Sequence, residues 1–205
     1  MSVSSWPSRP SGFGEPAWDI ATLFPNQGTW SEEEYLALDT NHLVEFTDGY
    51  LEVLPMPTTT HQLIAAYLFE TLKAFVAKHS LGLVLFAALK IRIRPNKHRE
   101  PDVLFVSRAH ENLIGEEFWT GADLVMEVVS KDNPERDWVK KRSDYAEAGI
   151  PEYWIVDPHR GVIVVLRLEA GRYVEHGEFP RGSRATSVLL PGFEIDVTAA
   201  LAGRQ

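Results

Sequence analysis

The sequence contains no cysteine, which excludes disulfide bonds, thiolate nucleophiles and cysteine-ligated metals. Carboxylates and imidazoles are therefore the strong metal ligands that remain. No apolar run is long enough to span a bilayer, and the N-terminal segment lacks the apolar core of a signal peptide. These absences predict a soluble protein of a reducing compartment, the cytoplasm.

Positive charge is also in short supply. The chain has 20 Lys and Arg residues against 29 Asp and Glu residues, a formal net charge of −9 and a pI near 5.3. A net anionic surface repels phosphate, which argues against a protein that coats nucleic acid non-specifically. The densest basic stretch is local and directly precedes Glu100: Lys90, Arg92, Arg94, Lys97, His98 and Arg99.

The chain has 205 residues and 44% hydrophobic content, enough to bury the core of one domain. Residues 1–15 are rich in Ser, Pro and Gly and have no apolar period, so they predict a flexible tail. A single domain is therefore expected over residues 16–205.

Apolar periodicity predicts the elements of this domain. Helices are expected after an N-cap at Ser31 to about Leu38, from His61, which Thr60 precedes, to about Lys78, and over 135–148, where Asn133-Pro134 precedes the helix and Gly149 ends it. Strands are expected over 43–46, 50–54, 83–86, 89–94, 103–106, 124–129, 152–156, 162–168 and 172–175. The pattern predicts an α/β fold in which helices flank a mixed central β-sheet, with an additional N-terminal β-hairpin.

Glu127 is the most informative residue, because its neighbours in the predicted strand 124–129 are all apolar. An ionised carboxylate in such surroundings needs a cation, either a basic side chain in a buried salt bridge or a metal ion. Asp102 precedes the neighbouring apolar strand and can project toward the same cleft. Together, the two hard oxygen ligands predict a site for Mg²⁺ or Mn²⁺ of the kind that phosphodiester hydrolysis requires.

The helix expected after Asn133 adds a cation. Helical geometry places one set of its residues on a common face: Trp138, Lys141, Tyr145 and Ala148. Lys141 is therefore predicted to point inward and Lys140 outward, although a lysine on an apolar stripe can also extend its stem to solvent. Asp137 lies one turn before Lys141 and either holds it through an i,i+4 pair or supports the helix from the solvent side.

Two further residues are secondary candidates, and one face is a candidate nucleic-acid surface. Glu45 lies among apolar residues and is either a third ligand or an exposed hairpin residue, whereas His61 is either a site residue or a half-buried histidine. The strand face formed by Lys90, Arg92 and Arg94 can bind a phosphate backbone, or it is simply a solvated charged face.

Several of these residues occur together in an order that is similar to the Uma family, bacterial proteins predicted to be endonucleases within the PD-(D/E)XK restriction-endonuclease-like superfamily. The resemblance covers about residues 30–196. Its motifs are Glu100-Pro101-Asp102, Glu127-Val128-Val129-Ser130, then Asp137, Lys141, Tyr145, Gly149, and the run from Pro151 to Asp157.

The resemblance implies a Mg²⁺-dependent DNA endonuclease whose metal is held by Asp102 and Glu127, with Glu45 as a further ligand. The family pattern places a Lys two residues after the Glu, where this chain has Val129, so the resemblance suggests that Lys141 supplies the ammonium. Three hypotheses therefore stand: a nuclease, a nuclease-like module that binds nucleic acid or protein without turnover, and a structural acid cluster neutralised by Lys141. Cleavage of both DNA strands would favour a homodimer.

Overall fold

The computed structural model describes residues 27–38, 40 and 42–203. The predicted tail, 1–15, and residues 16–26 of the predicted domain lie outside the described residues. In chain order the elements are α1 (Glu32–Leu36), β1 (Val44–Thr47), β2 (Tyr50–Val53), α2 (Thr59–His79), β3 (Gly82–Phe86), β4 (Ile91–Arg94), β5 (Lys97–Arg99), β6 (Val103–Ser107), a 3-10 helix (Arg108–Leu113), β7 (Leu124–Val128), a π-helical segment (Arg136–Lys141), α3 (Arg142–Glu147), β8 (Glu152–Asp157), β9 (Val162–Glu169), β10 (Arg172–Pro180), β11 (Arg184–Thr186), β12 (Glu194–Asp196) and α4 (Val197–Ala202).

Six strands form the central sheet in the order β10-β9-β8-β7-β6-β3. β7 and β8 run parallel, whereas the other neighbouring pairs are antiparallel. The continuous apolar runs of β6, β7 and β8 are explained by cover on both faces. The predicted mixed α/β fold with flanking helices is confirmed.

Successive residues of β7 contribute to the two sides of the sheet. Leu124 and Met126 pack in the core shared with α2 and α4, whereas Val125 and Val129 pack in the core shared with α3. Strand alternation therefore places Glu127 on the α3 side, where a carboxylate replaces an apolar residue. Val129, at the position where the family pattern has its Lys, is core.

α2 begins at Thr59, two residues earlier than the sequence pattern predicted. The Thr58 side chain caps it by accepting a hydrogen bond from the His61 backbone N–H at 3.2 Å. Its buried stripe consists of Ile64, Leu68, Leu72 and Val76. His61 lies in the first turn, next to Asp102, which directly precedes the interior strand β6.

The predicted N-terminal hairpin is half of a second sheet. β1 and β2 are joined at Asp48-Gly49, where both residues have positive φ, and β5 and β4 extend them in the order β2-β1-β5-β4. The single strand predicted over 89–94 was wrong in extent. The chain turns at Asn96, with φ of 62°, and forms the β4-β5 hairpin instead.

The helix predicted over 135–148 is not a uniform α-helix. Its first part is π-helical over Arg136–Lys141, and α3 continues from Arg142. The wider π-helical turn brings Asp137 as well as Lys141 inward, and each is only 4% exposed. Within the described part of the chain, no helix is both long and apolar enough to cross a membrane.

Candidate active site

Asp102 lies between β5 and β6, on the loop that enters the central sheet. Its Oδ2 accepts a hydrogen bond from the Val128 backbone N–H at 2.8 Å and lies 3.3 Å from Nε2 of His61. The antiparallel register, in which Val103 faces Met126, brings Asp102 to the end of β7. The backbone contact anchors the carboxylate beside the strand that carries Glu127.

The electrostatic environment of Asp102 favours its charged form. Burial opposes ionisation, but the His61 hydrogen bond, the charges of His61 and Lys141 and the Val128 amide together lower the pKa of Asp102. Burial also disfavours the charged form of His61, yet Asp102 and Asp137 raise the pKa of the imidazole. The His61–Asp102 contact is therefore an ion pair when His61 is protonated.

Glu127 is 2% exposed and points toward α3. Its Oε1 accepts a short hydrogen bond from the Tyr145 hydroxyl and lies 2.8 Å from Nζ of Lys141. Burial, followed by repulsion from Asp102 and Asp137, raises the pKa of Glu127 well above its usual value, although Lys141 acts in the opposite direction. One ammonium therefore does not compensate fully for the desolvation and repulsion of this carboxylate.

Lys141 is the centre of the arrangement. Its Nζ lies 2.8 Å from Glu127, 3.6 Å from Glu45 and 3.5 Å from Asp137. Burial disfavours the ammonium, but the surrounding carboxylates, Asp102 included, raise its pKa above the usual value. We call Glu45, Asp102, Glu127, Asp137 and Lys141 the site cluster: four carboxylates around one ammonium.

Glu45 projects from β1 of the second sheet and is 1% exposed, so it is not an exposed hairpin residue. Its Oε1 accepts a hydrogen bond from the Glu100 backbone N–H at 3.4 Å, and its Oε2 lies 3.6 Å from Nε of Arg99. Glu45 thus connects the two sheets at the site cluster.

Glu100 is a buried acid to which the sequence assigned no role. Burial, then repulsion from Glu45, raises the pKa of Glu100 to about 7. Its Oε2 has no hydrogen-bond partner among the residues that the structure describes. The signal in the sequence was its place in Glu100-Pro101-Asp102, but only the approach of β1 makes it part of the acidic surroundings.

Lys140 lies outside the site cluster, as its position on the opposite helix face predicted. Its Nζ lies 2.9 Å from Oε2 of Glu52 on β2, and the same carboxylate pairs with Arg136. Lys140 is 48% exposed, which makes it a natural comparison for the buried Lys141.

The basic strand face is largely paired with acids. Arg92 lies 2.7 Å from Glu32, and Nζ of Lys90 lies 4.7 Å from the centre of the Tyr35 ring. Arg94 belongs to an ion-pair group that we call the hairpin network: Asp48, Arg94, Lys97, Arg99, Asp144 and Glu147. A nucleic-acid phosphate would have to compete with these carboxylates, so fewer basic charges are available than the sequence predicted.

The chemistry of the site cluster fits a hard divalent cation, because oxygen ligands are in excess and because burial, followed by repulsion between the acids, raises the pKa values of Glu127 and Asp137. A ready-made ligand set is not present. Across residues 27–38, 40 and 42–203, no three Asp, Glu or His side chains converge as a metal site. Lys141 lies where Glu45, Glu127 and Asp137 come together.

A mixed central sheet flanked by helices, in this strand order, is the fold of a restriction-endonuclease-like domain. The chain belongs to the Uma2 family, described as "Putative restriction endonuclease", whose model matches residues 32–198. Its fold is similar to that of a solved structure from Anabaena variabilis, "a putative nuclease belonging to DUF820", with a TM-score of 0.71 at 16% identity over 85% of this chain and 98% of that chain. No curated protein matches the chain.

Proposed function

We propose that the protein is a Mg²⁺- or Mn²⁺-dependent nuclease that hydrolyses phosphodiester bonds of DNA at the site cluster. The observation that supports this most strongly is the concentration of acids inside the protein: four carboxyl groups surround Lys141, and the further cationic partners are Arg99, 3.6 Å from Glu45, and His61, 3.3 Å from Asp102. Buried carboxylates require a compensating cation. Membership of the Uma2 family supports nucleic acid as the substrate class.

Asp102 and Glu127 would hold the ion, and Glu45 would add a third carboxylate. When bound, the ion supplies a polarised phosphate and a water of lowered pKa. The backbone N–H of Val128 orients Asp102, and the Tyr145 hydroxyl orients Glu127. Because burial raises the pKa of Tyr145 well above its usual value, the hydroxyl stays protonated and continues to donate.

Lys141 provides the positive charge that the family pattern expects two residues after Glu127. Its ammonium has three N–H donors and remains protonated because the surrounding carboxylates raise its pKa. Asp137 and Glu45 hold it within 3.6 Å. We propose that Lys141 orients the attacking water and counters the negative charge that develops on the phosphate.

A second candidate is a nuclease-like module without turnover. Two observations favour it: Lys141 already lies between three of the acids, and Val129 is a core residue. Titration calorimetry of Mg²⁺ or Mn²⁺ with the wild type and Asp102→Ala separates the candidates. Binding that the variant loses supports the metal site, whereas no heat with the wild type supports the module.

The nuclease proposal is tested by incubating purified protein with Mg²⁺ or Mn²⁺ and single- or double-stranded DNA or RNA. We expect cleavage of DNA, and Asp102→Asn or Glu127→Gln should reduce its rate by at least about 100-fold. Both substitutions nearly preserve side-chain shape, so circular dichroism should remain unchanged.

Glu147→Gln is the matched control, because Glu147 is an acid of the hairpin network that is 42% exposed. It should cleave at the wild-type rate, and equal activity in all variants would identify a contaminating nuclease. The proposal fails if the wild type leaves every substrate intact while an active member of the family cleaves in the same assay. If Glu127→Gln changes stability alone, the acids are a structural cluster.

Double-strand cleavage would use two active sites, so we also propose a homodimer with two-fold symmetry. Light scattering after size-exclusion chromatography tests this. A monomer across the concentrations at which duplex DNA is cut would contradict it.

A further inference from the structure

A cavity of about 180 Å³ lies beside the site cluster, between α2 and the end of β3. Asp102 and His61, 3.3 Å apart, line it at the first turn of α2, and Phe69 and Phe86, whose rings contact each other, line it about two turns further along this helix. The small side chains of Ala65, Ala66 and Ala87 leave the space between them open. The cavity is therefore apolar at one end and polar at the end that it shares with the proposed metal ligand.

Phe86 is the most informative lining residue, because it is 55% exposed although its ring is large and apolar. It ends β3, the edge strand of the central sheet, and faces Val103, the residue after Asp102. The next residue, Ala87, donates its backbone N–H to the Asp102 carbonyl at 3.1 Å. Phe86 is thus held at a constant position relative to Asp102 by the β3-β6 pairing.

The second aromatic ring supports the first. The Phe69 and Phe86 rings are 4.6 Å apart at 60°, an arrangement that fixes both rings in place. Nζ of Lys73 lies 5.1 Å from the centre of the Phe69 ring. An aromatic surface with an ammonium beside it matches a nucleotide, which has an uncharged planar base and a charged phosphate.

The size of the cavity restricts the ligand. Sites for drug-sized molecules usually measure roughly 300–1,000 Å³, so this smaller space accepts one base and not a base pair. A base inside a duplex has both faces covered by its neighbours, and it must leave the stack before an aromatic side chain can contact its face. Gln62 also lines the cavity and offers amide donors and an acceptor to the edge of such a base.

We infer that the cavity bounded by Phe86, Phe69, His61 and Asp102 binds an unpaired nucleobase next to the phosphate that is cleaved. The inference rests on the proposed function and specifies its substrate: single-stranded DNA, or duplex DNA from which a base has been extruded. Stacking on Phe86 positions the strand, and Asp102 lies at the end of the cavity where the backbone would pass.

The test measures binding and does not depend on turnover. Fluorescence anisotropy follows a short labelled single strand, the duplex of the same sequence, and the same strand without its bases, with Ca²⁺ replacing Mg²⁺ and again with EDTA. The wild type should bind the intact strand at least about tenfold more tightly than either the duplex or the abasic strand. Phe86→Ala should lose this preference without weakening its binding of the abasic strand, and Phe86→Tyr should retain it.

Leu83→Ala is the matched control, because Leu83 lies on the same edge strand and is 40% exposed. It should bind like the wild type. Circular dichroism checks that each variant is folded. We expect both variants to fold, because Phe86 and Leu83 are exposed and their truncation leaves no cavity in the core.

Several results would overturn the inference. Equal binding of intact and abasic strands by the wild type, or an unchanged preference in Phe86→Ala, would overturn it while the nuclease proposal stands. Base-dependent binding without cleavage would support this subsite and contradict turnover. If no strand binds, this inference fails, and the cleavage assay decides the nuclease proposal separately. If Phe86→Ala only dissociates a dimer in light scattering, β3 is an interface between copies of the chain.

Discussion

The site cluster and the hairpin network are adjacent groups of buried and half-buried charges, but their charge balance differs. The hairpin network pairs Arg94, Lys97 and Arg99 with Asp48, Asp144 and Glu147, so equal numbers of each sign meet. The site cluster sets four carboxylates around one ammonium.

Arg99 connects the two groups, since its guanidinium pairs with Asp144 at 2.7 Å and lies 3.6 Å from Glu45. The contrast indicates different purposes. Balanced charges need no further ion and hold the second sheet against α3, whereas in the site cluster burial, followed by repulsion between acids, raises the pKa values of Glu127 and Asp137. Buried acids with raised pKa values reduce stability, and such groups are concentrated at functional sites.

Replacing the central ammonium should have the largest effect. Lys141→Met leaves three nearby buried carboxylates without their cation, so the free energy of unfolding should fall by about 3–5 kcal/mol. Lys140→Met removes only a half-exposed partner of Glu52 and should cost less than about 1 kcal/mol. Urea denaturation measures both. Equal losses in the two variants would show that Lys141 contributes no more to stability than a surface lysine.

A divalent cation should distinguish the two charge groups. Mg²⁺ at 100 times its dissociation constant should raise the free energy of unfolding of the wild type by about 2.7 kcal/mol. Glu147→Gln, in the hairpin network, should keep this gain, whereas Asp102→Asn, in the site cluster, should lose it. Thermal denaturation with and without Mg²⁺ makes the comparison, and a gain that survives in Asp102→Asn would locate the ion elsewhere.

The ion pairs of the basic stretch predict a pH effect on the free energy of unfolding, from residues outside the site cluster. His98 is buried 2.6 Å from Glu32, with Arg92 and Lys90 nearby, and burial lowers its pKa below the usual value of 6.5. The unfolded chain therefore takes up a proton that the folded chain resists, so the contribution of His98 to the free energy of unfolding should fall as pH drops below 6.5. Buried groups with raised pKa values, Glu100 among them, act in the opposite direction and are common to the wild type and the variant. The difference in free energy of unfolding between the wild type and His98→Gln should therefore decrease as pH falls below 6.5. Urea denaturation of both proteins across a pH series measures this, and a difference that does not change with pH would contradict the assignment.

The Glu32 carboxylate also contributes stability that is lost as pH falls, but at lower pH than His98. Burial opposes its ionisation, but His98 and Arg92 outweigh burial and lower the pKa of Glu32 below 4.5. Its contribution is complete above 4.5 and is lost as pH falls through the lowered value.

Removing an exposed charge from the hairpin network should have the smallest effect on the free energy of unfolding. Glu147 pairs with Arg94 and Lys97 at 2.9 Å but is 42% exposed, so Glu147→Gln should cost less than about 1 kcal/mol. The loss should shrink further at high salt because solvent ions screen exposed pairs. Denaturation at low and high ionic strength measures this, and a large salt-independent loss would mean that the pair acts as a buried one.

The apolar pattern of the sequence determined the fold class, α2 and the central strands, because burial imposes a period on each element. It also singled out Glu127, since a charge among apolar residues is conspicuous wherever the strand lies. Helical spacing predicted the inward position of Lys141, the places of Asp102 and Glu45 beside or among apolar residues made them candidates, and the family motifs agreed with this set.

Only the tertiary structure decided which charges meet. The π-helical turn that buries Asp137, the approach of β1 that encloses Glu100, and the acids that pair with Arg92 and Arg94 all depend on contacts between residues far apart in sequence. Local spacing carries no information about such partners. The surplus of carboxylates around Lys141 therefore became visible only when two sheets and one helix were brought together.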